Sequence, residues 1–425
     1  MRLFLEAAQV LEAVPAFRGI PRAPGLLATL CVLASAFMAG PLAAEASKLG
    51  RTVRVLVYDQ AAAVDVGRVD APARVRLNRR GELEVNGRVV GDPWSPGAAA
   101  GASPNHARRD SLSRVGEIWR VGERTYRGAI RVTTEAGRIQ VLNRVRLEDY
   151  VTSILGAEMS PSWPAQALQA QAVAARTYAL HHAERRSGEP WDVQATVASQ
   201  VYRGISAESP ETRAATQATA GEILTYKKAP ILAVFHSTSG GQTATAGEVW
   251  GEDHPYLRSV EVDEEDDAPH TYWRSVFKGA GFESTLVAAG LKVGRVSSVQ
   301  VVARTGSGRV RALRIAGGRG VAQLEGDALR NLVGALALRS RLFDVRAVPD
   351  GFAFVGSGYG HGVGMSQWGA RGMAERGDVY QRILARFYPG ARLERREDAF
   401  LASHGQSRLR ENDVHSGRVA QGDPQ

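Results

Sequence analysis

The sequence predicts a mixed α+β protein: a β-rich N-terminal region, a helical centre, and an inserted β-hairpin and helix subdomain. Three patterns predict it. Short alternating runs fill Thr52 to Val145, the apolar spacing turns helical at Leu147, and hairpin-like alternation returns at Val296. With 425 residues, 44% of them hydrophobic and 23% charged, the composition is that of a globular chain rather than a disordered, coiled-coil or multispan membrane one. That length suits about two or three domains.

Arg18 and Arg22 precede an uncharged stretch, Gly25–Ala44, which runs into Ala44-Glu45-Ala46. Residues 1–46 therefore read as a signal peptide, or as a signal anchor where cleavage fails. The single cysteine, Cys31, lies inside that segment and excludes an internal disulfide framework or a multi-cysteine zinc site. Residues 47–146 form the β-rich region. Strands are expected at Val53–Tyr58, Arg74–Leu77, Glu82–Val85, Arg127–Thr133 and Arg138–Asn143, with an exposed loop at Gly91–Asn105.

From residue 147 to 395 the pattern is mostly helical. Leu147, Val151, Ile154 and Leu155 share one face of a helix that ends near Met159, where Ser160-Pro161-Ser162-Trp163-Pro164 breaks it. Pro164 suits the first turn of a second, alanine-rich helix over Ala165–Arg186. Strands follow at Glu222–Tyr226 and Ile231–His236, and the acidic run Glu261–Asp267 reads as a solvated loop. The insertion is placed at residues 268–350, with a hairpin of Val296–Arg304 and Arg309–Ala316 and a helix from Asp327 to Leu336. A strand at Phe352–Gly356 enters the glycine-rich Gly358–Gly364, two short helices close the fold at Ser366–Arg376 and Val379–Phe387, and residues 396–425 read as a loose tail.

Charge and motifs narrow the chemistry. Lys and Arg number 53 against 44 Asp and Glu, so the net charge of +9 favours anionic partners. It is scattered along the chain rather than gathered into a basic helix, which argues against nucleic acid. The nine histidines form no His-Glu-x-x-His motif, and His181 and His182 diverge by about 100° on a helix, so no metal is implied. Val363 stands where a dinucleotide fingerprint needs its third glycine, so no cofactor is implied either.

Glu158 is the first candidate for chemistry. The C-terminal end of an apolar helix and neighbours such as Leu155, Met159 and Trp163 disfavour the carboxylate, as a general acid requires. The alternative is an ordinary surface carboxylate. Ile231–Gln242 reads as a buried strand delivering His236-Ser237-Thr238-Ser239 to a turn at Gly240-Gly241, suited to a polyhydroxylated ligand or an anion. A Ser/His nucleophile is disfavoured, since there is no Gly-x-Ser-x-Gly elbow and adjacent strand residues face opposite ways. In Gly358–Gly369 a glycine at nearly every second position requires close backbone approach, making Tyr359, His361 and Gln367 candidate ligand contacts; the alternative is a tight turn packed on Trp368.

Leu147–Val151, Ala157-Glu158-Met159, Ala170–Leu180, Gln200–Gly204, His236–Gly241 and Gly358–Ala370, in this order from about Arg54 to Leu393, resemble the stage II sporulation protein D family. Export to the periplasm or cell wall is expected from the N-terminal segment, and the carboxylate-rich bacterial wall suits the positive charge. The resemblance implies a lytic transglycosylase acting on peptidoglycan glycan strands, or a noncatalytic enhancer of an N-acetylmuramoyl-L-alanine amidase. It implies that Glu158 of the Glu-Met motif is the catalytic acid. Arg176, His236, Ser237, Tyr359, His361 and Gln367 match recurring motif positions and are expected to bind substrate, with Arg176 orienting Glu158 or taking a lactyl carboxylate. Some relatives bind zinc through Cys and His in the segment corresponding to Trp191–Tyr202; no cysteine stands there, so no metal is expected.

Overall fold

Alternating valines make Thr52–Gln60 a strand with one buried face, and that strand organises the N-terminal half. The computed structural model describes residues 51–96, 117–196 and 199–395. The expected signal segment, the tail and most of the Gly91–Asn105 loop lie outside the described residues. Thr52–Gln60 pairs antiparallel with Arg138–Arg146, which pairs with Ala129–Glu135, while Val193–Gln194 joins the other edge in parallel. A second sheet of six strands runs antiparallel from Arg88–Val89 to Arg124–Arg127. It contains three short strands not anticipated from sequence, Val64–Gly67, Arg88–Val89 and Ile118–Val121. The expected strand Arg127–Thr133 is divided at Gly128, whose left-handed φ of 95° lets the chain pass from one sheet to the other; a Cβ there would strike the Arg144 carbonyl.

Eight helices occur among the described residues: α1 (Leu147–Glu158), α2 (Ala165–Arg185), α3 (Pro210–Ala218), α4 (Ala246–Trp250), α5 (Gly279–Ala288), α6 (Gly326–Ala335), α7 (Gln367–Glu375) and α8 (Tyr380–Phe387). The alanines of α2 have a packing purpose. Nearly every side chain from Ala167 to His181 is buried, because α1, α3, α7 and α8 all approach this helix and small side chains let their backbones come close.

Two expectations are corrected in this half. Ile231–His236 is not one strand: Ala233 and Val234 bond back to the carbonyls of Ile231 and Leu232, two residues earlier. Those tight turns consume the groups a ladder would use, so only Phe235–His236 pairs, in parallel with Met365–Ser366. The acidic run is not wholly solvated either. Glu265 is buried, its carboxylate accepting from the amides of Ser239 (2.6 Å) and Gly240 (2.8 Å) and from the Ser366 hydroxyl.

A second hydrophobic core, including Trp273, Phe282, Leu313, Ile315, Leu329, Phe343 and Phe354, belongs to the insertion. One of its sheets has Gly351–Gly356 at the centre, between Trp273–Lys278 and Phe343–Val348. This core therefore extends past the expected boundary at Asp350. The expected hairpin of Val296–Arg304 and Arg309–Ala316 is found as Val296–Arg304 with Val310–Gly317 and carries a third strand, Gly320–Glu325, and α5 and α6 pack beside these sheets.

Candidate active site

Glu158 is the last residue of α1, and the chain turns extended at Met159. Its Oε1 accepts a 2.8 Å hydrogen bond from the Val201 amide, and the Gln367 amide faces the same carboxyl. Burial raises the carboxyl above its ordinary value of 4.5; the two hydrogen-bond donors and, more weakly, Arg203 oppose that shift without cancelling it. Gln367 is itself buried, and its Nε2 lacks a fully formed hydrogen bond. The helical end and the glycine-loop helix thus bring together two sequence candidates that lie far apart in the chain.

An aromatic ledge adjoins them. Trp163 and Trp368 meet edge to face at 4.9 Å, and the Arg371 guanidinium lies 4.7 Å from the Trp368 ring and 5.6 Å from that of Trp163. Both rings stay partly exposed. Such faces suit the C–H surface of a sugar ring as well as a cation. In the sequence, Trp368 figures only in the alternative reading, as the packing partner of a tight turn. The signal available was position, since Trp368 follows Gln367 and Trp163 follows Glu158 by five residues.

The third part is the contact between the His236 strand and the glycine loop. The Ser237 carbonyl accepts from the Trp368 amide (3.1 Å) and the Ser366 hydroxyl (3.3 Å), joining Ser237 to the ledge. His236 is buried and donates from Nδ1 to the Val363 carbonyl at 3.1 Å. That bond leaves Nε2 as an acceptor without a partner, and burial holds the ring neutral. His361 differs from expectation. Its Nδ1 accepts from the Val363 amide at 3.0 Å, it is bonded to the Phe235 backbone as well, and burial lowers it to about 4. It is a neutral structural ring more than a free ligand contact. Tyr359 is 45% exposed, pairs through its backbone with Thr238, and meets His270 edge to face at 5.0 Å.

The alternating glycines have a steric cause. Gly362, at φ 81°, carries the flat face of the buried Arg309 guanidinium, which a Cβ would strike. Arg309 in turn donates to the carbonyls of Gln242 (3.0 Å) and Ser239 (2.9 Å), tying the insertion to both loops. Gly362→Ala is expected to cost about 2–4 kcal/mol, combining left-handed strain and overpacking, and to appear as a lowered denaturation midpoint.

Arg176 does not join this group. It is fully buried, gripped by both oxygens of Glu148 (2.9 and 2.7 Å) and donating to the Glu222 carbonyl at 3.0 Å. Glu148 and Glu158 stand at opposite ends of α1, about 15 Å apart at ~1.5 Å per residue, so Arg176 neither orients Glu158 nor meets its ligand. Among the described residues, no group of three or more His, Cys, Asp or Glu could hold a metal ion, and no helix is long and apolar enough to cross a membrane.

A carboxyl of raised pKa beside an amide, aromatic faces and hydroxyls makes a site suited to carbohydrate. Comparison with known proteins agrees with the sequence motifs. Residues 135–226 match the family described as Stage II sporulation protein, and residues 273–364 match a domain of unknown function. The chain is 34% identical over 251 residues to an uncharacterized protein of Brachyspira hyodysenteriae, covering 59% of this chain and 67% of that one. It is 32% identical over 277 residues to Stage II sporulation protein D of Bacillus subtilis, covering 62% of this chain and 78% of that one. With the Amidase enhancer of Bacillus subtilis it shares 28% identity over 285 residues, 56% of this chain and 39% of that relative. The chain belongs to the stage II sporulation protein D family.

Proposed function

We propose that this protein is a peptidoglycan lytic transglycosylase, exported to the cell wall, with Glu158 as its one acid and base. The observation that carries this reading is the Glu158 carboxyl itself: half-buried, raised in pKa by desolvation, and faced by the Gln367 amide, whose chain neighbour Trp368 belongs to the aromatic ledge. Ordinary glycoside hydrolysis needs two carboxylates. The buried carboxylate of Glu265 is already occupied by backbone amides and the Ser366 hydroxyl, so it is poorly placed to serve as a base.

One carboxyl suffices for an intramolecular reaction. Protonated Glu158 gives its proton to the glycosidic oxygen between N-acetylmuramic acid and N-acetylglucosamine; the C1–O bond breaks and its electron pair leaves with that oxygen as a hydroxyl. The muramyl C6 hydroxyl then bonds to C1 of its own ring and returns its proton to Glu158. A 1,6-anhydro end forms and no water is consumed. Gln367 and Ser237 are suited to sugar hydroxyls and acetamido groups, while Trp163 and Trp368 are suited to ring faces. Trp368→Ala is expected to raise KM for glycan strands about tenfold with little change in kcat, as loss of stacking before the chemical step would.

The competing reading is a noncatalytic wall-binding enhancer of an amidase, favoured by the name of one relative. Incubating the protein with peptide-free glycan strands and searching for anhydromuramyl ends by mass spectrometry separates the two. Absence of such ends, with amidase stimulation intact in Glu158→Gln, would select the enhancer.

A further inference from the structure

The Val201 amide that meets Glu158 is not held by secondary structure: residues 199–203 form neither helix nor strand. An amide outside any ladder keeps one direction only where its neighbours are fixed, so the side chains on either side decide where it points. On one side Gln200 is buried, its Oε1 accepting from the Tyr150 hydroxyl at 3.0 Å and its Nε2 donating a long 3.5 Å bond to the Ala175 carbonyl of α2. On the other, the buried Tyr202 ring packs against Tyr150 at 5.1 Å and Tyr126 at 5.4 Å, and its hydroxyl donates to Asn143 Oδ1 at 2.9 Å. Two residues further on, the Ser153 hydroxyl of α1 donates to the Gly204 carbonyl at 2.8 Å.

Tyr150 touches both anchors. It is fully buried in α1, about two turns before Glu158, so the helix that carries the carboxyl also fixes the donor opposite it. A phenylalanine would fill the same space; the hydroxyl serves the direction of the loop rather than packing. Among the described residues, the charged or titratable groups facing Glu158 are Arg203 of the same loop, which weakly favours its carboxylate, and Tyr150, which burial keeps protonated. Gln367, from α7, faces it without charge. A backbone donor favours the ionised carboxyl, and it does so best when it is in place before the charge appears.

We propose that Tyr150 and Gln200 are positioning residues: together they hold the Val201 N–H against Glu158, so that the carboxylate left after proton donation meets a fixed donor. Its effect on turnover rests on the glycan-cleaving reading above, whereas the titration of the carboxyl does not.

The test uses the full chain with Tyr150→Phe, which keeps the ring, and Gln200→Leu, which removes both ends of the link. Titration is followed by NMR on protein labelled at the glutamate carboxyl carbon, with Glu158→Gln identifying the resonance. Either variant is expected to raise the Glu158 midpoint by about one pH unit, a tenfold loss of preference for the carboxylate. With peptide-free strands, kcat at low pH should fall about tenfold with KM unchanged, and its descending limb should move up by the same unit. The double variant should shift no further than Gln200→Leu, since both substitutions cut one link. In wild type the Val201 amide resonance should move with the Glu158 midpoint, a measurement that needs no variant. A role in packing alone lowers the denaturation midpoint and leaves the titration in place; that result, or a Val201 amide that ignores the Glu158 titration, overturns the proposal. A shifted titration in a protein that makes no anhydromuramyl ends, wild type included, keeps the positioning roles and removes the cleavage reading.

Discussion

Glu158→Gln is expected to lower the rate of anhydromuramyl product formation by about 10²–10⁴-fold, the usual contribution of a positioned proton donor, while the protein stays folded. The amide keeps the shape of the carboxyl and still accepts from the Val201 amide, so the packing around α1 is preserved. The wild-type rate should fall as pH rises through the Glu158 pKa, which burial places above the ordinary 4.5, because the first step needs the protonated form. Stability should follow the same direction. A carboxyl whose folded pKa exceeds its unfolded one contributes fully at low pH and loses that contribution as pH rises through the folded value. Glu158→Gln should therefore gain stability over wild type at neutral pH, on the order of 1 kcal/mol, as removal of a strained functional group often does. Full turnover in this variant would remove Glu158 from the mechanism.

Glu148→Ala is expected to destabilise the protein by about 1–3 kcal/mol: it leaves the fully buried Arg176 guanidinium without its counter-charge, while Glu148 itself is 42% exposed and only partly desolvated. Chemical denaturation reads the effect directly. Arg176→Lys should also lower the midpoint, since one ammonium cannot reproduce the two-pronged bond to Glu148 and the reach to the Glu222 carbonyl. A residue that bound substrate instead would show the opposite pattern, lost turnover with an unchanged midpoint. The comparison separates a structural arginine from the binding role that its motif position implies.

Much of this architecture was legible in the chain. The α1 and α2 boundaries follow from the Leu147–Leu155 spacing and from the Ser160–Pro164 break, which are local signals. The paired strands of the insertion were equally plain, because period-two alternation needs no distant partner to be read. Glu158 stands out as a candidate by its place at the end of an apolar helix, but position alone leaves an ordinary surface carboxylate open, and it is the resemblance that singles it out as the acid.

Partners across long sequence separations were not legible. The pairing of Phe235–His236 with Met365–Ser366, the burial of Glu265 under the Ser239 and Gly240 amides, and the grip of Glu148 on Arg176 each join segments that the chain order leaves apart. Residue types and local periodicity set which helices and strands form and which side chains are capable of chemistry. Only tertiary packing decided that Gln367 reaches Glu158 while Arg176 does not, since hydrogen bonds and desolvation act over a few ångströms of space, whatever the distance along the backbone.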